Sequence, residues 1–435
     1  AKPISIITIN DKNLVYISKY LQYELDILYK IRYLCNQSPM SETKNISQLE
    51  CLADKFDIPN KEQLLAIKNC MQHKFSIITG GPGTGKTTTI SLLLWLLYQH
   101  YGMELNIKIC TPTGKASKRV YESIKSIINN PKLGDLDFSG VKQLLESQSN
   151  FLTIHKLLGY RSNSIYFKYG KNNPLNLDVL IIDESSMVSL PLFSKLLQAI
   201  HEKNISHVIL LGDKNQLSSV EEGYVFASLV NASNTLPYIT SLVASNRSNQ
   251  DIANLADAVQ AEKIDVFNRL LLDNSGNIKS YPAKLSNLFD KELFAKVDTS
   301  LSRYFRYILY ADLSDTEVLF TEFNRRIILC LTNVGVFGAL YINVQIEKKI
   351  KFLITSIYQE NKIATYDLFS TRSGLDISQY GNEWYTGRPI IILENDYNLE
   401  LFNGDIGICI IEDAKVQVVF ENGRKFIVEV LPKFQ

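Results

Sequence analysis

Residues Phe75 to Thr89, FSIITGGPGTGKTTT, constrain the fold more than any other stretch of the chain. An apolar, β-rich run gives way to a glycine-rich turn and then to a helix start, and Gly80, Gly85, Lys86 and Thr87 satisfy the pattern G-x-x-x-x-G-K-S/T. That pattern has a physical basis. Backbone N–H groups must approach phosphate oxygens closely, and side chains at Gly81, Gly83 or Gly85 obstruct that approach. Lys86 then neutralises the β- and γ-phosphates and Thr87 ligates Mg²⁺, so ATP and Mg²⁺ are the expected cofactors. The continuation TTISLLLWLLYQH is apolar on nearly every face, which predicts a buried helix with its positive end aimed at the phosphates.

A second strand signal is LDVLIIDESSM, where an apolar run stops abruptly at Asp183-Glu184. Two carboxylates at the mouth of a buried parallel strand divide the work of phosphoryl transfer: one holds the metal shell and the other polarises water. SHVILLGDKNQLSSV repeats the design, ending in Gly212-Asp213 and then Gln216, which can orient the attacking water or sense the γ-phosphate. SLVASNR offers Arg247 as a guanidinium reaching the γ-phosphate, with a surface arginine as the other reading. Gln63, one short helix upstream of the phosphate loop, either reads an adenine through its amide or faces solvent.

Three further stretches carry polar groups at predicted strand ends. In LNIKICTPTGKASKRV, Thr111, Thr113 and Lys115 sit at the carboxyl edge of a parallel sheet, where they hold a nucleic-acid phosphate or sugar, or form a turn with a helix cap. In FLTIHKLLGY, Thr153 and His155 open a helix; His155 has no neighbouring Cys or His, so packing or capping is its own reading. YRSNSIYFKYGKNNP interleaves Tyr166, Phe167 and Tyr169 with Arg161, Lys168 and Lys171, which describes either a protruding single-strand stacking hairpin or an amphipathic hairpin resting on its own domain.

Composition narrows the class. The chain has 435 residues, 46% hydrophobic and 21% charged, with a formal net charge of +1. That describes a globular protein of roughly two to four domains, and any nucleic-acid site on it is a local patch. Six scattered cysteines without C-x-x-C spacing support neither zinc nor a disulfide framework, and a reducing cytoplasm fits them. The apolar run from Ile90 to Tyr98 is too short to span a bilayer, so no membrane is expected.

In order, GGPGTGKTTT, TPTGKA, LTIHKLLG, VLIIDESSM, GDKNQLSSVEEG and ASNR resemble the successive motifs of superfamily-one helicases that move 5′ to 3′, and most closely the RecD (alpha) subunit of exodeoxyribonuclease V. FNRRIILCLTNVGVFGALYIN is similar to the opening of that family's second motor domain, and EWYTGRPIIILENDYNLELFNGDIGIC to its SH3-like insertion. The resemblance implies an ATP-dependent DNA helicase subunit of a RecBCD-type helicase and nuclease acting in double-strand break repair and recombination, with single-stranded DNA or DNA ends and RecB-like and RecC-like chains as partners. It carries over Lys86, Glu184, Gln216 and Arg247 as catalytic and γ-phosphate residues. Gln63 and the loop Gly80, Gly81, Pro82, Gly83, Thr84, Gly85, Lys86, Thr87 and Thr88 carry over for nucleotide, Thr87 and Asp183 for metal, and Thr111, Thr113, Lys115, Thr153 and His155 for single-stranded DNA. One departure is Asn246, where an aromatic commonly precedes the arginine.

The family would next supply segments like TVHKSQG and TAVTRAR, which this sequence does not contain; together with the opening Ala1, this leads to the expectation of a truncated product or a decayed gene. Two rival functions follow: a nucleotide-binding scaffold subunit without motor activity, and a phosphate-loop ATPase acting on proteins or small molecules. The expected fold is α/β: a helical N-terminal region at 1–57, a RecA-like motor domain at 58–247 with a hairpin at 160–173, a helical connection at 248–319, the start of a second RecA-like domain at 320–383 and an SH3-like β insertion at 384–435.

Overall fold

The structure is a computed structural model that describes residues 3–9, 11–37, 46–161, 166–202, 204–232, 238–243, 250–273, 315–325, 327–348, 384–394, 398–401, 404–412 and 415–434, with isolated positions between. Arg247, most of 274–314 and all of 351–383 lie outside the described residues, so the segments expected to be a helical connection and the start of a second RecA-like domain are described only in part. The chain forms two compact units, Ala1–Leu270 and Leu271–Gln435.

The first unit opens with an antiparallel hairpin, β1 (Ile4–Ile9) and β2 (Lys12–Ile17), and the helices α1 (Ser18–Cys35), α2 (Ile46–Phe56) and α3 (Lys61–Gln72). There follow β3 (Phe75–Gly80), α4 (Lys86–Tyr101), β4 (Ile107–Thr111), α5 (Gly114–Ile128), α6 (Ser139–Glu146), β5 (Phe151–Thr153) and α7 (Ile154–Leu157). The unit closes with β6 (Val179–Ile182), α8 (Leu190–Gln198), β7 (His207–Gly212), α9 (Val225–Asn231), β8 (Ile239–Leu242), α10 (Gln250–Gln260) and α11 (Ile264–Leu272).

Six of these strands make one parallel sheet in the order β5-β4-β6-β7-β3-β8. Every residue of β3, β6 and β7 is buried, which is why these strands read as unbroken apolar runs: both faces are covered by helices. Alternation within each strand feeds two cores. Ile78, Ile109, Ile181 and Ile209 point to a core built with α3, α4, α5 and α6, where Trp95 and Leu93 are buried. Ile77, Leu180, Ile182 and Leu210 point to the opposite core, built with α1, α8 and α9 around Phe193. Helix α4 buries ten consecutive residues from Thr89 to Tyr98, consistent with its lack of a polar face.

The N-terminal region combines a short β-hairpin with the helices α1 and α2. Residues 4–9 pair with 12–17 across a two-residue turn with Asp11 at φ 61°. Helix α1 gives Ile27, Ile31 and Leu34 to the second core, and α2 gives Leu49 and Leu52 to the first. The buried Lys30 ammonium donates to Ile200 O (3.0 Å) and to Glu202 Oε1 (2.9 Å), which ties α1 to the turn after α8.

In the second unit, α12 (Thr316–Asn324) precedes β9 (Pro389–Ile391), β10 (Ile406–Glu412), β11 (Lys415–Phe420) and β12 (Lys425–Ile427), an antiparallel sheet in the order β12-β11-β10-β9. Period-two alternation explains it: Ile408, Ile410 and Val419 pack on Phe320 and Tyr385, while Cys409, Val418 and Phe420 pack on Trp384 and Ile392. A four-stranded sheet thus stands where the SH3-like insertion is expected.

At the amino end of β7, His207 is fully buried. Its Nδ1 lies 3.2 Å from the His73 carbonyl, which can only accept, so Nδ1 carries the proton and Nε2 accepts from the Tyr101 hydroxyl at 3.2 Å. Burial pushes this imidazole down from 6.5 to about 4. A group depressed in the folded state stabilises fully above its unfolded value and loses that contribution as pH falls towards its folded one. Stability is therefore predicted to drop by up to about 1.4 kcal/mol per pH unit between 6.5 and about 4. Denaturant midpoints for the unaltered protein and His207→Gln across that window check this; the variant's shallower slope is the expected result.

Candidate nucleotide site

The sheet order sets the carboxyl ends of β6, β7 and β3 side by side, with Thr79 opposite Gly212 and Ile182 opposite Leu210. Adjacent strands are about 4.8 Å apart, so the segments leaving these ends share one small area. They are the phosphate loop, Asp183-Glu184 and Asp213.

The loop is fixed by its glycines and by its own hydrogen bonds. Gly85 has φ 85°, and a Cβ there would stand 2.1 Å from Gln63 Nε2. The Thr84 hydroxyl donates to Gly81 O at 2.9 Å. The Lys86 ammonium donates to Gly80 O and to Gly81 O (3.0 Å), which holds the side chain along the loop. Helix α4 then starts with no side-chain cap at Gly85, and its first amides have no intrahelical acceptor, the arrangement that binds anions. Burial lowers the Lys86 pKa, and the carboxylates of Asp183, Asp213 and Glu184 act in the opposite sense.

Thr87 and Asp183 line the same small cavity. Burial pushes the Asp183 carboxyl up to about 6, against the pull of the Glu184 amide it accepts from at 2.8 Å. A hydroxyl and a desolvated carboxylate are hard oxygen donors and fit Mg²⁺. Among the described residues no group of three or more His, Cys, Asp or Glu is placed to hold a metal, so such an ion draws its remaining ligands from phosphate and water.

Glu184 adopts the left-handed conformation, φ 54° and ψ 38°. The Ser185 hydroxyl, donating to Ile182 O at 2.8 Å, and the Met187 amide, donating to Glu184 O at 3.0 Å, hold this turn.

Gln216 is exposed on the loop after β7, and its amide donates to Asp213 O at 3.2 Å. Asp213 itself is a site residue that the motif reading passed over. It is buried at the strand end, accepts the Asn215 amide at 2.9 Å and acts on Lys86, and the signal for it is the same abrupt carboxylate that marks Asp183. Gln63 is buried, so the solvent-facing reading is corrected. It closes a capping box with Asn60 and donates from Nε2 to Thr84 O at 3.2 Å, which joins α3 to the phosphate loop.

Two strands over, the register pairs Thr111 with Thr153. Thr111 is buried and its hydroxyl donates to Thr113 O at 2.8 Å, so it holds the turn. Thr113 caps α5 and Thr153 caps α7; Thr113, Lys115 and His155 are exposed, and of these only Lys115 and His155 have no capping task. His155 stands edge-on to Tyr160 and Phe167. In the 160–173 segment, Phe167 and Tyr169 rest on the second core while Tyr166 is 75% exposed, and the only ladder pair among the described residues is Gly170 with Asn173. Phe167 and Tyr169 thus pack on their own domain.

Residues 63–222 match the family model described as AAA domain. The RecBCD enzyme subunit RecD of Haemophilus influenzae is 32% identical over 413 residues, covering 85% of this chain and 60% of that relative. The ATP-dependent RecD2 DNA helicase of Deinococcus radiodurans is 28% identical over 229 residues, 51% of this chain and 27% of that one. Bacteroides Pif1 bound to single-stranded DNA aligns with a TM-score of 0.38 at 16% identity, over 85% of this chain and 73% of Pif1.

The left-handed turn at Glu184 yields a prediction. Asn tolerates that conformation, so Glu184→Asn relieves about 1 kcal/mol of backbone strain and raises the denaturant midpoint. A lowered midpoint would contradict the strain assigned here.

Proposed function

We infer that this chain, RecD-like in sequence and a superfamily-one helicase in kind, is the ATP-driven motor of a DNA-unwinding subunit. The observation that carries the reading is the juxtaposition of Lys86, Thr87, Asp183, Glu184 and Asp213 at three neighbouring strand ends. ATP with Mg²⁺ supplies the phosphoryl group to be transferred to water and the charge that must be neutralised.

This chain's residues then have separable tasks. The loop amides and Lys86 bind the β- and γ-phosphates, while Thr87 and Asp183 hold the metal. Glu184 takes a proton from the attacking water, and Gln216 orients that water or the γ-phosphate. Gln63 contacts the adenine with the hydrogen-bonding capacity left after its bonds to Asn60 and Thr84; Arg247, the expected γ-phosphate residue, lies outside the described residues. Lys115 and His155, with Tyr160 and Tyr166 nearby, bind single-stranded DNA by charge and stacking. The partners are RecB-like and RecC-like chains, the direction is 5′ to 3′, and the setting is cytoplasmic double-strand break repair. No helix among the described residues is long and apolar enough to cross a membrane.

In the complete protein, Lys86→Ala is predicted to lower DNA-stimulated ATP hydrolysis by about two orders of magnitude or more. Single-strand binding without nucleotide should persist and should weaken steeply with salt. Hydrolysis that survives the substitution would falsify the motor reading.

A further inference from the structure

The loop from Asp213 to Tyr224 carries Gln216, yet its middle packs on nothing: Leu217 is 91% exposed and Val220 is fully exposed. Its setting is therefore decided at its ends. The near end is the turn made by Asp213 with the amides of Asn215 and Gln216. The far end is tied to the segment that leaves the acid pair. Leu190 is the first residue of α8, and its amide has no intrahelical acceptor. Glu222 O accepts from it at 2.8 Å.

Gly223 follows at φ 122°, and a Cβ there would stand 2.5 Å from Leu190 Cβ and 2.8 Å from Leu190 N. No side chain fits without moving either the loop or the start of α8. The Ser219 hydroxyl is directed at the carbonyl oxygens of Glu221 (2.7 Å) and Gly223 (3.2 Å), which closes the loop on itself.

We propose that Ser219 and Gly223 are positioning residues that clamp the far end of the Gln216 loop to Leu190, and so set the rate of nucleotide turnover at Gln216. The clamp places the Glu184 turn and the Gln216 loop on one short mechanical path: Glu184, the turn Ser185–Met187, Leu190, Glu222 and back to Gln216. The inference rests on the motor reading of the same site.

The test uses the complete protein with Gly223→Ala and Ser219→Ala, measuring ATP hydrolysis in the presence of an oligothymidine strand. For Gly223→Ala the kcat should fall about tenfold while the KM for ATP stays within about twofold. Ser219→Ala should show the same split with a smaller loss and an unchanged melting temperature, which keeps the test open if the glycine variant folds poorly. Wild-type kcat in Ser219→Ala, or losses in kcat and KM together, overturns the clamp and leaves the motor reading standing. An unaltered protein with no ATP hydrolysis overturns both.

Discussion

A parallel strand covered by helices on both faces can offer groups to a ligand only where it ends, and this molecule depends on three carboxyl ends lying next to one another. The crossover from β3 to β4 leaves two places in the sheet, and β6 and β7 fill them, so the order becomes β4-β6-β7-β3. Residues far apart in the chain, at 86, 183 and 213, meet because of that insertion and for no local reason. The same strands in sequential order would put the acid-bearing β6 and β7 three and four places from β3, about 14 to 19 Å from the phosphate loop.

The electrostatics of the meeting point follow from its burial. Lys86 is depressed by desolvation and Asp183 is raised by it, each partly relieved by the other. One ammonium, already donating to two loop carbonyls, faces three carboxylates. The surplus of carboxylate suits a divalent cation, and the free amides at the start of α4 suit an anion. Neither sign alone relieves the site, because a bare anion would add repulsion to the acids and a bare cation would leave the amides unanswered. A metal–phosphate pair satisfies both halves at once.

What could be read from the sequence was whatever burial writes into a strand. The runs FSIITG, VLII and HVILLG are apolar without alternation because helices cover both faces, and each stops at the polar group the site uses. The alternation in IGICII and KVQVVF was legible for the opposite reason, since each face of β10 and β11 packs on a different cluster. The strand at 4–9 was not legible: Ile4 and Ile6 are exposed, so their apolar character reports no core and gives no strand period to trust. Gln63 was half legible. Asn60 and Gln63 stand at capping-box spacing, but the reach of the amide to Thr84 is a tertiary contact between segments that spacing alone does not join.

The two edges of the site are continuous, and α5 is the reason. Its first turn begins at Thr113, in the strand-end segment assigned to DNA, and carries Lys115 outward. One turn later Arg119 lies on the same face of the helix and acts on Asp183. Beneath it, the Asp183 amide donates to Cys110 O at 2.9 Å, one residue before Thr111. A shift of the TPTGKA turn therefore moves both the basic stripe and the backbone partner of the metal-binding acid. In a close-packed sheet such shifts are transmitted and not absorbed, so a displacement of the TPTGKA turn changes the electrostatics around Asp183 at the β6 end through Arg119 and the Cys110 carbonyl.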